Sequence, residues 1–534
     1  MKIKDALLAA CLSSLFTISI SAAEQTVTGT VFVDLNNNQQ LDPTDQRFPN
    51  AFVSNGIDIV PTDAQGNYSL PLAEKHDTVF LIKPAGYQSP LSQDFIPQFY
   101  YVNRPVGSPK HLEFRGHKPS DLTGKPLNFP LYKQNESPNY TALLFGDTQV
   151  PDYRATTWMR HDTIEPLIDN TNASFGVTLG DVVSNNLAAF EQYKTSIAQL
   201  QIPWYNVPGN HDVNFDVPDD ALSMETWLRH FGPPTYSFNW ANTHYIVIDN
   251  IKYLGEETKK YRGELSKDQL TFIKNDLKNV SKNTLVIPLM HIPLTNMTKK
   301  SRLALLSLIK DYPHTFSASA HRHFQEHDFY DSSNGWAGAA SPEHHHLIAS
   351  TICGAWWGGV RDEFGLPSAA QRDGSPNAYN ILSVTDNTYT LRLRNIRRPE
   401  SDQMSIYLAD SIPLDQLKDQ TAYINIYGGS SKSTTIARIR HYTDWLPTKP
   451  IKHIDPYHRD RLQRYKDGHF PGDGPISLET KTDHHAAFKI PSNLMPGTYL
   501  LQIKTTDMFG QTDIASRTFN ITPIGTKLIS PSTR

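Results

Sequence analysis

Cysteine is nearly absent from this chain, whose 534 residues include only Cys11 and Cys353. Cys11 falls in an N-terminal segment that we expect to be cleaved, so the mature chain would keep Cys353 alone. A single cysteine forms no internal disulfide, even in an oxidising compartment. Cys353 is therefore predicted to be a small buried residue rather than a nucleophile.

Excess charge and long apolar runs are also missing. The formal net charge is -4, which gives no general attraction to nucleic acids or to membrane surfaces, and we find no nucleic-acid-binding signature. After the N-terminal segment, no apolar stretch is long enough to span a bilayer. What the chain has in abundance is proline (37), tyrosine (24) and phenylalanine (24), which favours a protein rich in strands and turns.

Residues 1–23 have the three parts of a signal peptide. Lys2 and Lys4 form a positive start, 6–20 is nearly apolar, and 21–23 offers small residues for cleavage. We therefore expect a periplasmic or secreted protein. The alternatives are an uncleaved N-terminal anchor helix, and a lipoprotein acylation site at Cys11, which lies early in the apolar stretch.

The rest of the chain divides into three predicted domains. Residues 24–133 read as an all-β sandwich, immunoglobulin-like or prealbumin-like, and 134–139 as a linker. Between 138 and 350, strands alternate with helical stretches, which predicts an α/β fold with helices flanking a β-sandwich. The strand pattern returns in 351–525 as a C-terminal β domain. The predicted helices are Leu187 to Leu200, Ser266 to Val280 and Ser301 to Ile309.

One loop of the first domain has the spacing of a calcium site. Oxygen-bearing side chains occupy its first, third, fifth, seventh, ninth and twelfth places: Asp34, Asn36, Asn38, Gln40, Asp42 and Asp45. The glycine usual at the sixth place is absent, and the last ligand is Asp rather than Glu. A plain Asn/Asp-rich turn between two strands is the alternative.

Short polar clusters follow the apolar runs of the middle domain, where strands are predicted to end. The runs are 142–145, 175–179, 204–207, 284–290 and 315–319. The clusters are Gly146-Asp147-Thr148-Gln149, Gly180-Asp181, Gly209-Asn210-His211-Asp212, His291, and His321 with His323. Because side chains at such strand ends can converge on one face of an α/β sheet, they could form a two-metal hydrolytic centre.

In this order the clusters resemble the calcineurin-like metallophosphoesterase family, and the Gly-Asn-His-Asp element is the most specific of them. Further motifs are similar to a bacterial subgroup in which β domains flank the catalytic domain. These motifs are Phe231-Gly-Pro-Pro-Thr-Tyr236, His244-Tyr-Ile-Val-Ile-Asp249, Cys353-Gly-Ala-Trp356-Trp357 and Asp373-Gly-Ser-Pro-Asn-Ala-Tyr379. The resemblance covers nearly the whole chain after the leader.

The resemblance implies two divalent metal ions. One would be held by Asp147, Asp181 and His323, with Gln149 as a further ligand. The other would be held by Asp181, Asn210, His291 and His321, so that Asp181 bridges both ions. Mixed oxygen and nitrogen donors suit Mn, Zn or Fe better than Ca.

The resemblance also gives His211 and Asp212 catalytic roles. His211 would face the substrate and protonate the leaving oxygen, with Asp212 as its orienting carboxylate. Asn185 and Tyr153 are candidate substrate contacts. Trp356 and Trp357 either line a substrate cleft or pack between domains, and the run 344–346 of three histidines is expected to be solvated.

Two positions depart from the common family pattern. Gln149 stands where many members have His, although the subgroup commonly shows Gln; its neutral carboxamide would hold the first metal less tightly. Ala320 stands where Gly usually precedes His-x-His, which removes no ligand but can shift the loop.

The sequence thus predicts a secreted or periplasmic dinuclear phosphoesterase that cleaves a phosphomonoester or phosphodiester by metal-bound hydroxide. A catalytically weak envelope protein that binds a glycan or another protein is the alternative, and a nucleotide pyrophosphate is a third class of substrate. The sequence does not indicate the metal, the substrate or the oligomeric state.

Overall fold

The computed structural model describes residues 25–73, 76–468, 472–473 and 479–531, with side chains at all of these except 472–473. The predicted signal peptide lies outside the described residues. No helix in the described ranges combines the length and apolar character needed to cross a membrane.

The N-terminal domain consists of two facing sheets. One has the order β2-β1-β9-β7, with β5 also paired to β1, and the other has the order β4-β3-β6-β8. The strands are β1 (Thr26–Val33), β2 (Gln46–Arg47), β3 (Phe52–Ser54), β4 (Ile59–Pro61), β5 (Asn67–Pro71), β6 (Thr78–Ile82), β7 (Tyr87–Gln88), β8 (Tyr100–Val102) and β9 (Phe129–Lys133). Alternate residues of β1 and β5 fill a core that includes Val27, Val31, Tyr68 and Leu70.

The middle of the chain forms a second β-sandwich. Its first sheet has the order β12-β11-β10-β22-β23 and its second β13-β14-β17-β18-β20-β19. The strands up to the His-x-His motif are β10 (Asn139–Phe145), β11 (Phe175–Leu179), β12 (Trp204–Val207), β13 (Tyr236–Trp240), β14 (Thr243–Val247), β15 (Ile251–Tyr253), β16 (Tyr261–Gly263), β17 (Leu285–Leu289) and β18 (Phe316–Ser319). Every residue of β11, β12, β17 and β18 is buried, as expected for strands covered on both faces.

The strands after the motif complete this sandwich and a small ladder. They are β19 (Glu326–Tyr330), β20 (His344–Ile348), β21 (Gly359–Val360), β22 (Ala378–Thr385) and β23 (Thr388–Asn395). β22 pairs antiparallel with β10 over six residue pairs, from Asn139 with Thr385 to Leu144 with Asn380. The first sheet of this sandwich therefore takes its last two strands from beyond residue 350, where the C-terminal domain was predicted to begin.

Helices flank this second sandwich, as predicted. They are α1 (Tyr153–Met159), α2 (Phe190–Ile197), α3 (Glu225–Phe231), α4 (Lys267–Leu277) and α5 (Lys299–Ile309). Ser266 is the N-cap of α4 and forms a capping box with Gln269, which agrees with the predicted start of this helix at Ser266. α5 begins earlier than predicted, because Thr298 rather than Ser301 is the N-cap and accepts a hydrogen bond from Ser301.

The C-terminal domain is a third sandwich, with sheets β24-β26-β31-β29 and β25-β33-β32-β27-β28. Its elements are β24 (Met404–Tyr407), β25 (Ser411–Pro413), β26 (Thr421–Ile426), β27 (Thr434–Ile439), β28 (Leu446–Pro447), β29 (Lys449–His453), α6 (Pro456–Lys466), β30 (Gly472–Asp473), β31 (Thr482–Lys489), β32 (Gly497–Thr506) and β33 (Thr512–Thr522). The mixed α/β fold of the middle domain, between two strand-rich domains, confirms the predicted fold class.

The histidine run 344–346 is not solvated, contrary to the sequence expectation. These residues form buried β20, where β18 lies on one side and β19 on the other. Ser317 on β18 hydrogen-bonds to His344 Nε2 and to His346 Nδ1, both at 2.7 Å. The serine hydroxyl on the neighbouring strand hydrogen-bonds to the imidazoles, and these bonds offset the free-energy cost of burying them.

Candidate metal centre

The polar clusters converge where the two sheets of the catalytic sandwich meet. Asp147, Asp181 and Asn210 follow β10, β11 and β12, which are parallel neighbours, so their carboxyl ends lie side by side. His291 and His321 follow β17 and β18, which are parallel neighbours in the other sheet. Leu179 O at the end of β11 accepts a hydrogen bond from His291 Nδ1 at 2.8 Å, which joins the two groups.

Backbone strain is concentrated in these loops. Positive φ angles occur at five of the predicted ligands: Asp147, Gln149, Asp181, His321 and His323. Non-glycine residues adopt this region rarely, and its clustering is typical of functional sites. Two glycines permit the close approach: a Cβ at Gly180 would lie 2.5 Å from His291 Nδ1, and one at Gly209 would lie 2.0 Å from Asp181 N.

Three potential ligand atoms surround His291 Nε2, which is itself a fourth. Asp181 Oδ2 and Asn210 Oδ1 each lie 3.1 Å from it, and His321 Nδ1 lies 3.2 Å away. His291 donates its Nδ1 proton to a carbonyl, so only one further N–H is available at Nε2. One N–H cannot point at three acceptors, whereas a cation among them would satisfy all four atoms. One candidate atom from each of Asp181, His291 and His321 lies within 4.8 Å of the others.

A second pair has the same character. His323 donates Nδ1–H to Gly354 O at 2.6 Å, which directs Nε2 at Asp147 Oδ2, 3.1 Å away. That carboxylate oxygen is buried and accepts no hydrogen bond from the described residues. The backbone N–H of His321 donates to Asp147 Oδ1 at 2.9 Å and ties this pair to the first group. The donor set of both groups fits divalent ions, because carboxylate, carboxamide and neutral imidazole are their usual ligands.

The electrostatics of the site point the same way. Burial alone would raise the pKa of Asp181, but His291 and the other imidazoles hold it below its ordinary value. Burial opposes charge on His291 as well, yet Asp181 raises its pKa to about 9. Burial and the charge of His291 lower the pKa of His321 to about 4. The site therefore favours one positive charge near Asp181, which a metal ion can supply in place of the proton.

Gln149 lies inside the cluster with its amide nitrogen toward the carboxylate. Nε2 donates to Asp181 Oδ2 at 3.2 Å, and Oε1 lies 3.6 Å from Cys353 Sγ. In this orientation the oxygen faces away from Asp181. Ligation through oxygen would require the amide group to turn over.

His211 and Asp212 have separate surroundings. His211 Nδ1 lies 2.6 Å from Asn185 Oδ1, and its Nε2 lies 3.9 Å from Asp181 Oδ2. Asp212 instead accepts backbone hydrogen bonds from Val182, Val183 and Gly209. The predicted orienting role of Asp212 is therefore wrong; Asn185, expected to contact substrate, holds the His211 ring. Burial and the negative charge of Asp181 raise the pKa of Asp212 to about 8.

The other predicted contact, Tyr153, begins α1 and is 72% exposed. No hydrogen bond of its side chain to the ligand set occurs among the described residues. The structure also brings in residues that the sequence reasoning gave no role at the metals. Tyr261 on β16 lies beside His321, and Trp357 Nε1 donates to Thr148 O at 2.9 Å. Cys353 is buried as predicted, beside Gln149 and His323. Spacing alone does not reveal such contacts, because they come from distant loops.

The candidate calcium loop is internally hydrogen-bonded. Asp42 Oδ2 accepts from the amides of Asn36 and Asn38 at 2.8 Å, which lower its pKa. Asp34 and Asp45 are buried, and Asp45 accepts from the backbone of Leu35 and Asp42. Gln40 donates its backbone N–H to Asn38. Both a folded turn and a calcium loop accommodate these contacts.

A cavity of about 1030 Å³ lies elsewhere, between the segment after α1 and the C-terminal domain. Its lining includes Glu165, Arg397, Tyr457 and Arg461, and none of the predicted metal ligands.

Comparison with known proteins identifies the family. A family model described as Calcineurin-like phosphoesterase matches residues 140–325. Models described as the N terminal and the C terminal of Calcineurin-like phosphoesterase match 35–119 and 345–512. The chain therefore belongs to the calcineurin-like phosphoesterase family, with its dedicated N-terminal and C-terminal domains, and it is a metal-dependent phosphoric ester hydrolase.

Among solved structures, the chain is similar to purple acid phosphatase PPD1 from yellow lupin (Lupinus luteus) seeds. The two share 13% sequence identity with a TM-score of 0.35, over 65% of this chain and 67% of that one. The comparison with curated proteins gives no match.

Proposed function

We propose that this chain is a secreted or periplasmic dinuclear phosphoesterase that hydrolyses a phosphomonoester or phosphodiester. The observation that carries the proposal is the convergence on His291 Nε2 of three acceptor atoms that one proton cannot satisfy. Asp147 with His323 supports a second ion beside the first. In this proposal Asp181 would be a ligand at both sites.

Asp147, His323 and Gln149 would hold one ion, and Asp181, Asn210, His291 and His321 the other. Bound divalent ions supply an activated water and offset the negative charge that develops on the phosphoryl oxygens. The backbone N–H of His211 donates to Asp181 Oδ1 at 2.8 Å and fixes that carboxylate. His291 and His323 donate Nδ1–H to the carbonyl oxygens of Leu179 and Gly354, which fixes their tautomers and leaves Nε2 of each free to ligate.

His211 is the proposed acid for the leaving oxygen. Its side chain is 28% exposed at the edge of the buried ligand set, where a substrate can reach it. Asn185 Oδ1 faces Nδ1, so that Nε2 is the nitrogen left to give a proton to the leaving group. Mixed oxygen and imidazole ligands favour Mn, Zn or Fe. The leader-like residues 1–23 motivate the secreted or periplasmic location.

The test combines elemental analysis with turnover. We expect about two metal ions per chain, and hydrolysis of a generic phosphomonoester or phosphodiester by Mn- or Zn-loaded protein. Asp181→Asn and His211→Ala should abolish turnover, but only the first should lower metal content. Fewer than one ion per chain, together with no cleavage of either ester, would contradict the proposal and favour a binding role.

Location needs its own measurement. Expression of the full chain should yield a processed protein that begins near residue 24 in the periplasm or medium, as read by N-terminal sequencing. An unprocessed protein retained in the cytoplasm would contradict the proposed secretion without touching the proposed chemistry.

A further inference from the structure

Two exposed aromatic rings lie beside the proposed metal ligands. The ring centroid of Trp356 is 4.6 Å from that of His323, with the planes 37° apart. The Tyr261 ring centroid is 6.0 Å from that of His321. Trp356 is 49% exposed and Tyr261 37% exposed. Large aromatic side chains left in water next to a polar site are typical of surfaces that bind something.

Trp356 and Trp357 are adjacent in the sequence but differ in their exposure to solvent. Trp357 is 3% exposed, and its indole N–H donates to Thr148 O, so it supports the loop that carries Asp147 and Gln149. Trp356 has the same left-handed backbone, with φ of 66°, yet half of its surface is left in water. A positive φ is costly for a bulky residue, and the protein gains little burial from it. The strained backbone thus leaves the Trp356 indole exposed to solvent beside His323.

The second exposed ring, that of Tyr261, comes from a different part of the chain. It lies on β16 of the β15–β16 hairpin, whereas Trp356 follows β20. The Tyr261 ring therefore adjoins His321 of one ligand group, whereas the Trp356 indole adjoins His323 of the other.

We propose that the substrate is a phosphate ester whose organic part carries a flat aromatic ring, such as a nucleoside or an aryl group. This inference rests on the proposed function and names its substrate class. With the phosphate at the ligand set, Trp356 and Tyr261 are two exposed aromatic surfaces that adjoin it. A base or aryl ring can stack on them, whereas a small polyol offers no comparable face.

The test uses substrates that share the reacting ester. Adenosine 5′-monophosphate and ribose 5-phosphate have the same primary phosphate ester and differ by the base. If the enzyme proves to be a diesterase, the methyl esters of these two phosphates serve, since both release methanol and only the first carries an aromatic ring. The readout is the ratio of kcat/KM within the pair, measured on metal-loaded full-length protein.

We expect the base-bearing substrate to be preferred by wild type, and Trp356→Ala to reduce that preference about 10-fold, as loss of one stacking partner implies. Tyr261→Ala should reduce it in the same direction. Trp356→Phe and Tyr261→Phe, which keep a ring, should retain most of it. Tyr442→Ala is the matched control, because Tyr442 is 46% exposed in the C-terminal domain.

The possible failures are distinguishable. If wild type cleaves both members of a pair and the ratio is the same in Trp356→Ala, Tyr261→Ala and Tyr442→Ala, the aromatic-substrate inference is wrong and the phosphoesterase proposal stands. If metal-loaded wild type cleaves none of the four esters, both proposals are overturned. Retained metal content in each variant shows that a changed ratio does not come from a lost ion.

Discussion

Single side chains, rather than whole motifs, decide how this site works. Asn185 is the clearest case, because it stands outside the Gly-Asn-His-Asp motif and yet contacts the imidazole of that motif at 2.6 Å. Both Asn185 and Asp181 have positive φ, which holds the loop between them close to His211. The residue that orients the proposed acid is therefore a neutral amide, and the motif's own carboxylate supports the backbone.

We predict that Asn185→Ala lowers kcat about 10-fold, a part of the roughly 100- to 10,000-fold that a general acid contributes. The ring of His211 would lose its partner, but no ligand atom changes, so metal content and thermal stability should match wild type. Steady-state kinetics with metal analysis checks this.

Asp212→Ala should behave in the opposite way. Removing its carboxylate leaves three backbone N–H groups without their acceptor, and each buried unsatisfied group costs about 1–3 kcal/mol. We expect a loss of at least about 2 kcal/mol in unfolding free energy, measured by urea denaturation. Normal stability with a loss of kcat like that of Asn185→Ala would return the orienting role to Asp212.

Gln149 is the second residue-scale question. Its oxygen faces Cys353 and its nitrogen faces Asp181, so its contribution to metal affinity in this orientation is small. We predict that Gln149→His tightens binding of one ion by about 10-fold, or about 1.4 kcal/mol, because imidazole is a better ligand than a carboxamide.

Chelator competition with Mn or Zn measures the two ions separately. Gln149→Ala is the comparison, and it should weaken the same ion only slightly if the amide oxygen does not ligate. A loss of that ion in Gln149→Ala would show instead that the amide turns over when metal binds.

At the scale of elements, buried strands could be predicted from the sequence because burial requires a continuous run of apolar residues. β11 and β12 coincide with the predicted runs, since continuous apolar stretches bounded by turn residues have few alternatives. The ends of those strands determine where Asp181 and Asn210 lie. The local sequence pattern could not predict that β22 pairs with β10 and adds β23 to the same sheet. Pairing between strands as far apart as residues 139 and 385 depends on tertiary packing.

Loop contacts were equally hidden from the sequence. Tyr261 reaches the site from a hairpin that carries no periodic signal. Asn185 was a candidate substrate contact, but the sequence did not indicate that it contacts His211. The histidine run in β20 was misread because its partners, Ser317 and Ser319, belong to another strand. A polar residue in a strand is buried or solvated according to its neighbours, which local composition does not specify.

The loop between β1 and β2 gives a prediction at this scale. If it binds calcium, the ion stabilises only the folded N-terminal domain, and millimolar Ca should raise that domain's melting transition by about 4 °C. Differential scanning calorimetry should be run on full-length Asp181→Asn protein, which removes the metal centre as a source of the shift.

Asp42→Ala in the same background should abolish the calcium effect, because Asp42 accepts from both Asn36 and Asn38. Asp63→Ala, in the neighbouring turn, is the matched acidic control and should retain it. A melting curve that is indifferent to Ca and to chelator would identify the segment as a plain turn.

At the scale of the whole molecule, the domains are joined by buried polar contacts. The segment 134–139 reads as a linker, yet the Glu136 side chain is 2% exposed and lies 2.6 Å from Lys83 Nζ, itself 4% exposed. Lys83 also donates to Asn239 O, and Glu136 accepts from the backbone of Gly86 and Ala241. One ion pair thus connects the N-terminal domain, the linker and β13 of the catalytic sandwich.

We predict that Glu136→Ala destabilises the protein by about 3–5 kcal/mol, the usual cost of leaving one partner of a buried pair uncompensated. Burial already lowers the pKa of Lys83, and without Glu136 its charge loses the one carboxylate that pairs with it among the described residues. The midpoint of urea unfolding, followed by tryptophan fluorescence, measures the effect near Trp240, whose ring lies 4.9 Å from Lys83 Nζ. Asn135→Ala, at an exposed neighbouring position, should unfold like wild type.

The double variant Lys83→Met with Glu136→Leu separates charge from packing. Replacing both members of a buried pair by apolar groups is often neutral or stabilising, so this variant should recover most of the stability lost in Glu136→Ala. Recovery would show that the cost is the stranded Lys83 charge. If Glu136→Ala unfolds at the wild-type urea concentration, the segment is a flexible linker after all, and the N-terminal domain is free to move relative to the metal centre.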